Sequence, residues 1–202
     1  MDRDAIGEPR SPAAAPALFP GEVHVWRIEL PSEDRRAAAR RALGEVLAGY
    51  LGGLETVELR VAANGKPQLA TAPERLSFNL SHSSELALVA IAPGGAEVGV
   101  DIERLRPRRD LVRLAARWLP KADAKAVAVA TAEERETVFY AAWTRHEARV
   151  KCTGTGLDAE PAGEDIVAQQ LDIYPGYVAA VALAGAGADG VRISVRRFRP
   201  DG

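Results

Sequence analysis

Residues 86–103, LALVAIAPGGAEVGVDIE, contain two short segments of strand-like sequence separated by a turn signal. Leu86–Ala92 is a continuous apolar run of strand length, and Val98–Glu103 alternates apolar with small or acidic residues at the period of a strand. Pro93-Gly94-Gly95 between them is typical of a tight turn. The stretch therefore predicts two strands of a mainly antiparallel sheet.

The second of these strands carries two carboxylates on one face. Because side chains alternate along a strand, Val98, Val100 and Ile102 share one face, and Asp101 and Glu103 share the other. Two carboxylates about 7 Å apart along a strand can converge on one hard cation. A solvated strand face is the commoner explanation of this pattern, so a metal site needs a third ligand.

Towards the N-terminus, the pattern predicts one helix packed on the same sheet. Residues 1–20 are expected to be a flexible lead-in without a signal-peptide core. Further strands are expected from Val23 (VHVWRIEL), from Thr56 (TVELRVAA) and over Phe78–Ser81. The helix is expected to begin after a capping Ser32 and to continue to about Tyr50.

Towards the C-terminus, three helices precede three more strands. The helices are expected over 110–118, over 123–130, and from a Thr131–Glu134 capping box to a glycine stop near Gly154. The strands are expected over 165–173, 177–183 and 191–198. The chain is therefore predicted to be α+β, with two halves of similar size, 21–103 and 104–202.

The long helix supplies a possible third ligand. Phe139, Trp143, Glu147 and Lys151 follow one another at steps of four and so form one stripe, on which Glu147 and Lys151 point the same way. An ordinary surface ion pair has the same spacing.

A second stretch is strongly basic. Seven cations between Arg104 and Lys121, against one aspartate, fit either a solvated helix face or a surface for an acidic partner.

Composition excludes several classes of protein. The 202 residues carry 26 Lys and Arg against 28 Asp and Glu, so the net charge of −2 does not favour a nucleic-acid partner. The one cysteine, Cys152, offers neither an internal disulfide nor a zinc cluster, which favours a reducing, cytoplasmic setting. No apolar run approaches the roughly 18 residues of a membrane span.

Four motifs occur together and in order, and their order is more specific than any one of them. They are GKP at 65–67, FNLSHS at 78–83, GVDIE at 99–103, and WTRHEARVK at 143–151 followed by GTGL. In this, the chain resembles the Sfp-type 4′-phosphopantetheinyl transferases over roughly Pro20–Leu183. The resemblance implies a pseudo-dimer of two α+β halves, with the active site between them. Because both halves belong to one chain, the enzyme is expected to be a monomer.

The resemblance also implies a reaction and a set of site residues. A serine hydroxyl of an apo acyl or peptidyl carrier protein would attack the β-phosphorus of coenzyme A and release 3′,5′-ADP. Asp101, Glu103 and Glu147 are implied as ligands of Mg²⁺, and Lys151 as a phosphate contact. Glu147 or a water on the magnesium ion would accept the serine proton, and the sequence does not choose between them.

Further coenzyme A contacts are implied at Lys66, Pro67, Ser81 and His82, with His82 at the 3′-phosphate. One position departs from the family pattern: relatives usually have lysine before the helix glutamate, whereas this chain has His146. The imidazole titrates near neutrality, so a coenzyme contact there would depend on pH. Two alternatives stay open at this point: a coenzyme A-binding relative with weak or no transfer activity, and a magnesium-dependent phosphohydrolase.

Overall fold

The computed structural model describes residues 15–53, 56–62, 65–156, 166–185 and 191–198. Within these ranges the chain is a mixed α+β protein. Its elements in order are β1 (Glu22–Glu29), α1 (Arg35–Tyr50), β2 (Leu59–Val61), β3 (Pro67–Leu69), β4 (Leu76–Ser83), β5 (Leu86–Pro93), β6 (Glu97–Arg104), α2 (Leu111–Trp118), α3 (Lys121–Val129), α4 (Ala132–Thr153), β7 (Ile166–Leu171), β8 (Tyr177–Ala184) and β9 (Arg192–Phe198).

The strands form two main sheets and one small hairpin. The first sheet has the order β4-β5-β1-β9, the second has the order β6-β8-β7, and β2 pairs with β3. All pairings are antiparallel except that of β1 with β9, which is parallel. The strand β6, expected to belong to the first half, therefore lies in the second sheet, and β9 at the end of the chain completes the first.

The two sheets pack face to face, with helices on their outer faces. In β1, Val23 and Val25 join the core between the sheets, whereas Trp26 and Ile28 join the core beneath α1. In β8, Val181 faces the core between the sheets, and its neighbours Ala180 and Ala182 pack against α4. This alternation of side chains produces four layers in the order α1, first sheet, second sheet, α4.

A glycine allows α4 to lie directly on β6. An added Cβ at Gly99 would stand 2.1 Å from the carbonyl oxygen of Ala148 and 2.4 Å from the amide nitrogen of Cys152. Both distances are far below ordinary contact, so the helix backbone occupies the space of a side chain. Since Gly99, Asp101 and Glu103 share a strand face, this approach brings α4 to the carboxylates of β6.

The local predictions agree with the structure for α4 and need correction elsewhere. Thr131 caps α4 through the amide of Glu134, and the helix ends at Gly154 with φ 70°. The cap of α1 is Asp34, not Ser32: its carboxylate accepts the amide of Ala37, and no acidic residue lies in the first helical turn. The strand expected from Thr56 is reduced to β2, whose three residues are exposed, and β3 was not predicted.

Candidate active site

The candidate site lies where the edges of the two sheets meet. β4 is an edge strand of the first sheet and β6 an edge strand of the second. Side chains of β4 join them: Asn79 Oδ1 accepts the amide of Val100 at 2.9 Å, and Ser83 Oγ accepts the amide of Arg104 at 3.1 Å. Asp101 and Glu103 therefore stand along a seam between the sheets, opposite serine hydroxyls.

A lysine from α4 completes this group. Lys151 Nζ lies 2.6 Å from Asp101 Oδ1 and 3.1 Å from Ser81 Oγ, while Ser81 Oγ donates to Asp101 Oδ1 at 2.9 Å. Ser83 Oγ donates to Glu103 Oε2 at 3.0 Å. Asp101 is only 4% exposed, so it is a buried carboxylate paired with an ammonium group and not a solvated one.

The carboxylates repel one another in a partly desolvated setting. Burial, reinforced by the charge of Asp101, raises the pKa of Glu103, although Ser83, Lys151 and nearby Arg106 oppose the shift. Burial also raises the pKa of Glu147; Lys151 opposes this shift and the strand carboxylates reinforce it. The effect of the strand carboxylates on Glu147 agrees with its place one turn before Lys151 on the same side of α4.

The chemistry of the donor set fits a hard divalent cation. Asp101 and Glu103 share one face of β6, Glu147 lies one turn before Lys151 on α4, and Asp101 Oδ2 is buried without a hydrogen-bond partner. Across the ranges described, no three His, Cys, Asp or Glu side chains are gathered closely enough to hold an ion as they stand. Lys151 donates a hydrogen bond to Asp101 Oδ1, so Oδ2 is the oxygen of Asp101 that is available to a metal.

A cavity of about 510 Å³ opens beside Glu103. Its walls combine aromatic residues of α4, including Trp143, with Arg106 and Arg108. Trp143 stacks on Phe139, with ring centroids 5.7 Å apart. The stripe predicted on α4 thus lines the cavity at one end and supplies Glu147 and Lys151 at the other.

Comparison with known proteins identifies the family of the chain. The family model of the 4′-phosphopantetheinyl transferase superfamily matches residues 97–173, which include β6 and α4. The 4′-phosphopantetheinyl transferase HetI of Nostoc sp. is 32% identical over 84% of this chain and 91% of its own length. The chain belongs to the 4′-phosphopantetheinyl transferase superfamily. The transferase AcpT of Escherichia coli is 35% identical over 76% of this chain and 74% of its own length, and the transferase psf-1 of Bacillus pumilus is 34% identical over 62% and 59%.

In this phosphopantetheinyl transferase, Lys66 contacts the first residues of β6, ahead of Asp101 and Glu103. Its Nζ is 2.5 Å from Glu97 Oε2, 2.9 Å from the carbonyl of Val98 and 3.2 Å from the carbonyl of Cys152. Lys66 thus ties the β2–β3 hairpin to β6 and to the C-terminus of α4. Pro67 beside it is exposed.

The two histidines of the predicted site differ in exposure. His82 is exposed on β4, on the face opposite Ser81 and Ser83. His146 is 7% exposed, and its Nε2 is buried without a partner. Burial lowers the pKa of His146, with the charge of Asp123 opposing the shift and that of Arg149 adding to it. His146 is therefore a buried side chain, whereas Glu147 next to it lies on the Lys151 side of α4.

The basic stretch forms an exposed surface next to the cavity. All seven cations from Arg104 to Lys121 are exposed, although Arg104 pairs with Glu85, and Asp110 lies near Arg108 and Arg113.

Among the described residues of the transferase, no helix is both long and apolar enough to cross a membrane.

Sequence reasoning missed one residue of the site, Ser83. The signal was present: Asn79, Ser81 and Ser83 repeat at the strand period of two, which matches the period of Asp101 and Glu103. The polar faces of β4 and β6 have the same spacing and can therefore pair residue by residue, but nothing in the sequence predicts that these two strands are neighbours.

Proposed function

We propose that this transferase moves the 4′-phosphopantetheine group of coenzyme A to a serine of an apo acyl or peptidyl carrier protein, releases 3′,5′-ADP and requires Mg²⁺. The observation that carries the proposal is the contact of Lys151 on α4 with Asp101 on β6, with Glu103 on the same strand face and Glu147 one helical turn before Lys151. Transfer to water, as in a phosphohydrolase, is disfavoured by the match to named transferases along most of the chain.

In this reaction the carrier serine oxygen forms a bond to the β-phosphorus of coenzyme A. The bond from that phosphorus to the bridging oxygen breaks, and 3′,5′-ADP leaves with the electron pair. Glu147 accepts the serine proton in our proposal, a role for which its burial suits it, because burial raises its pKa. Lys151 offsets the negative charge of the pyrophosphate.

Asp101, Glu103 and Glu147 would hold the magnesium ion, with Asp101 contributing the unpartnered Oδ2. A bound Mg²⁺ would neutralise pyrophosphate charge and relieve the repulsion among the three carboxylates. Asp101 also holds Lys151 through Oδ1, so this carboxylate would bring the ammonium group and the metal ion to neighbouring positions.

For coenzyme A we propose contacts from both halves of the chain, consistent with a monomeric pseudo-dimer that binds its substrate between them. His82 is exposed and free to meet the 3′-phosphate, and Ser81, Lys66 and Pro67 lie on the same half. We propose that His146 acts on coenzyme binding only through the position of α4, because its side chain is buried.

The carrier protein is proposed to dock on the exposed cations of 104–121. Carrier proteins would need an acidic surface for this, and the attraction would weaken with salt. The cavity beside Glu103 connects this surface to the carboxylates, so a serine presented at its mouth would approach Glu147 and the β-phosphorus.

Intact-mass spectrometry tests the proposal. Incubation with coenzyme A, Mg²⁺ and an apo-carrier should add about 340 Da to the carrier, the mass of the group transferred in a reaction of this class. Release of 3′,5′-ADP without a carrier would indicate hydrolysis, and coenzyme A binding without release would indicate a binding module. Failure to modify several unrelated carriers would refute the proposal.

A charge-removing variant tests the site itself. Asp101→Asn keeps the shape of the side chain but removes its charge, and it should reduce transfer by at least about 100-fold, the usual scale for losing a transition-state electrostatic contact. Asp123→Asn is the matched control: it breaks an ion pair with Arg145 on the other side of α4 and should leave transfer near the wild-type rate. Equal rates for Asp101→Asn and wild type would remove Asp101 from the site.

A further inference from the structure

The seam between β4 and β6 is built from side chains instead of a backbone ladder. Among the described strands, β4 pairs with β5 and β6 pairs with β8. Where the two strands approach each other, Asn79, Ser81 and Ser83 supply the hydrogen bonds. The groups that β6 presents to them include the carboxylates of Asp101 and Glu103.

The two serines make the same pair of contacts. Ser81 Oγ donates to Asp101 Oδ1 at 2.9 Å and receives Lys151 Nζ at 3.1 Å. Ser83 Oγ donates to Glu103 Oε2 at 3.0 Å and receives the amide of Arg104 at 3.1 Å. A hydroxyl has one proton to give. Each serine oxygen already accepts a hydrogen bond, from Lys151 or from the amide of Arg104, so its own proton is donated to the carboxylate.

We infer that Ser83, together with Ser81, is a positioning residue that holds one oxygen of each strand carboxylate and so leaves the other oxygen to a divalent cation. The inference rests on the proposed metal site. Asp101 displays the expected result, since Oδ1 is taken by Ser81 and Lys151 while Oδ2 is buried and unpartnered. Ser83 gives Glu103 the same constraint, with Oε2 held and the carboxyl plane fixed.

Ser83 matters more for Glu103 than Ser81 does for Asp101. Asp101 retains Lys151 as a second partner if the serine is lost, and it is 4% exposed. Glu103 has a longer side chain, is half-buried, and is held by Ser83 at the mouth of the cavity. Without the hydroxyl, Glu103 could rotate into the cavity and would have to be ordered again whenever a cation binds. Groups that orient metal ligands in this way typically change metal affinity by about 10- to 100-fold.

The probe for this inference is Mn²⁺, whose binding is followed by electron paramagnetic resonance with saturating coenzyme A. Ser83→Ala should weaken Mn²⁺ binding about tenfold or more. Ser83→Thr keeps the hydroxyl and should restore binding to within about threefold of wild type, because the β-branched side chain suits a strand. Ser77→Ala is the matched control, since Ser77 lies on the same face of β4 before the seam, and it should bind Mn²⁺ like wild type.

A second readout separates positioning from folding. The magnesium concentration that gives half-maximal transfer should rise in Ser83→Ala by the same factor as the Mn²⁺ dissociation constant, while KM for the carrier changes little. If Ser83→Ala does not fold, Ser83→Cys, which keeps the volume but donates weakly, takes its place. Wild-type Mn²⁺ affinity in a folded variant that lacks the hydroxyl overturns the inference.

Failure of the underlying metal site has a different outcome. Glu103→Gln should lose Mn²⁺ binding if Glu103 is a ligand. Binding that is lost in Glu103→Gln and kept in Ser83→Ala overturns the positioning role alone. Binding that is absent from the wild type, or unchanged in Glu103→Gln, overturns the metal site together with the inference.

Discussion

Gly99→Ala should separate α4 from β6 and thereby disable the site. The added Cβ would lie 2.1 Å from the carbonyl oxygen of Ala148, whereas ordinary contact begins at 3.4 Å. The two nearest atoms, the carbonyl oxygen of Ala148 and the amide nitrogen of Cys152, belong to the helix backbone and cannot rotate away as a side chain could. The helix must therefore move away from β6 by about 1.3 Å. If that shift falls along the ion pair, the 2.6 Å contact between Lys151 and Asp101 becomes about 3.9 Å, beyond hydrogen-bond distance.

Two magnitudes follow from this displacement. Overpacking of a well-packed core typically costs about 1–3 kcal/mol of unfolding free energy. A misplacement of about 1 Å among groups that orient a reaction can reduce its rate by about 100-fold. Gly99→Ala is therefore expected to be less stable than wild type yet folded, and to lose far more activity than its stability would suggest.

Urea unfolding and carrier modification by mass spectrometry measure these two effects. Gly44→Ala is the control, because a Cβ there meets nothing within 4 Å and Gly44 lies inside α1. That variant should gain about 0.5–1 kcal/mol and keep its transfer rate. Wild-type stability and rate in Gly99→Ala would refute the reasoning, because they would mean that α4 does not depend on this close approach.

Three further predictions concern titration, thiol chemistry and docking. Burial, with help from the charge of Arg196, lowers the pKa of His24 to about 4, whereas the unfolded chain titrates near 6.5. As the pH falls, protons therefore bind the imidazole of the unfolded chain before that of the folded protein. The folded state is favoured by on the order of 3 kcal/mol above pH 6.5, and this stabilisation is lost as the pH falls from 6.5 towards 4. An NMR titration that gives His24 a pKa near 6.5 would contradict this. Burial raises the pKa of the Cys152 thiol to about 11, so iodoacetamide should label it only after unfolding, as mass spectrometry can follow; rapid native labelling would be the contrary result. Charge reversal at Arg108 and Arg109 should raise KM for an acidic carrier about tenfold at low salt and much less at high salt, whereas unchanged carrier saturation would indicate that this surface is only solvated.

The features that depend on local geometry can be predicted from neighbouring residues alone. The helix α4 follows from its capping box and glycine stop, which are properties of residues a few positions apart. The placement of Asp101 and Glu103 on one face of β6 follows from the pleat of a strand, whatever that strand packs against. The common direction of Glu147 and Lys151 follows in the same way from the helical period.

Which of these faces meet depends on how the sheets and helices pack together. Both main sheets have apolar inner faces of the same kind, so periodicity could not assign β6 to the second sheet or bring β9 beside β1. The contacts of Ser83 with Glu103 and of Lys151 with Ser81 join residues 20 and 70 positions apart. The burial of His146 likewise depends on what packs against α4 and not on the sequence around it. Such contacts are set by how whole layers pack, because the free energy of burying apolar faces depends on their complementary shape and not on the spacing within any one segment.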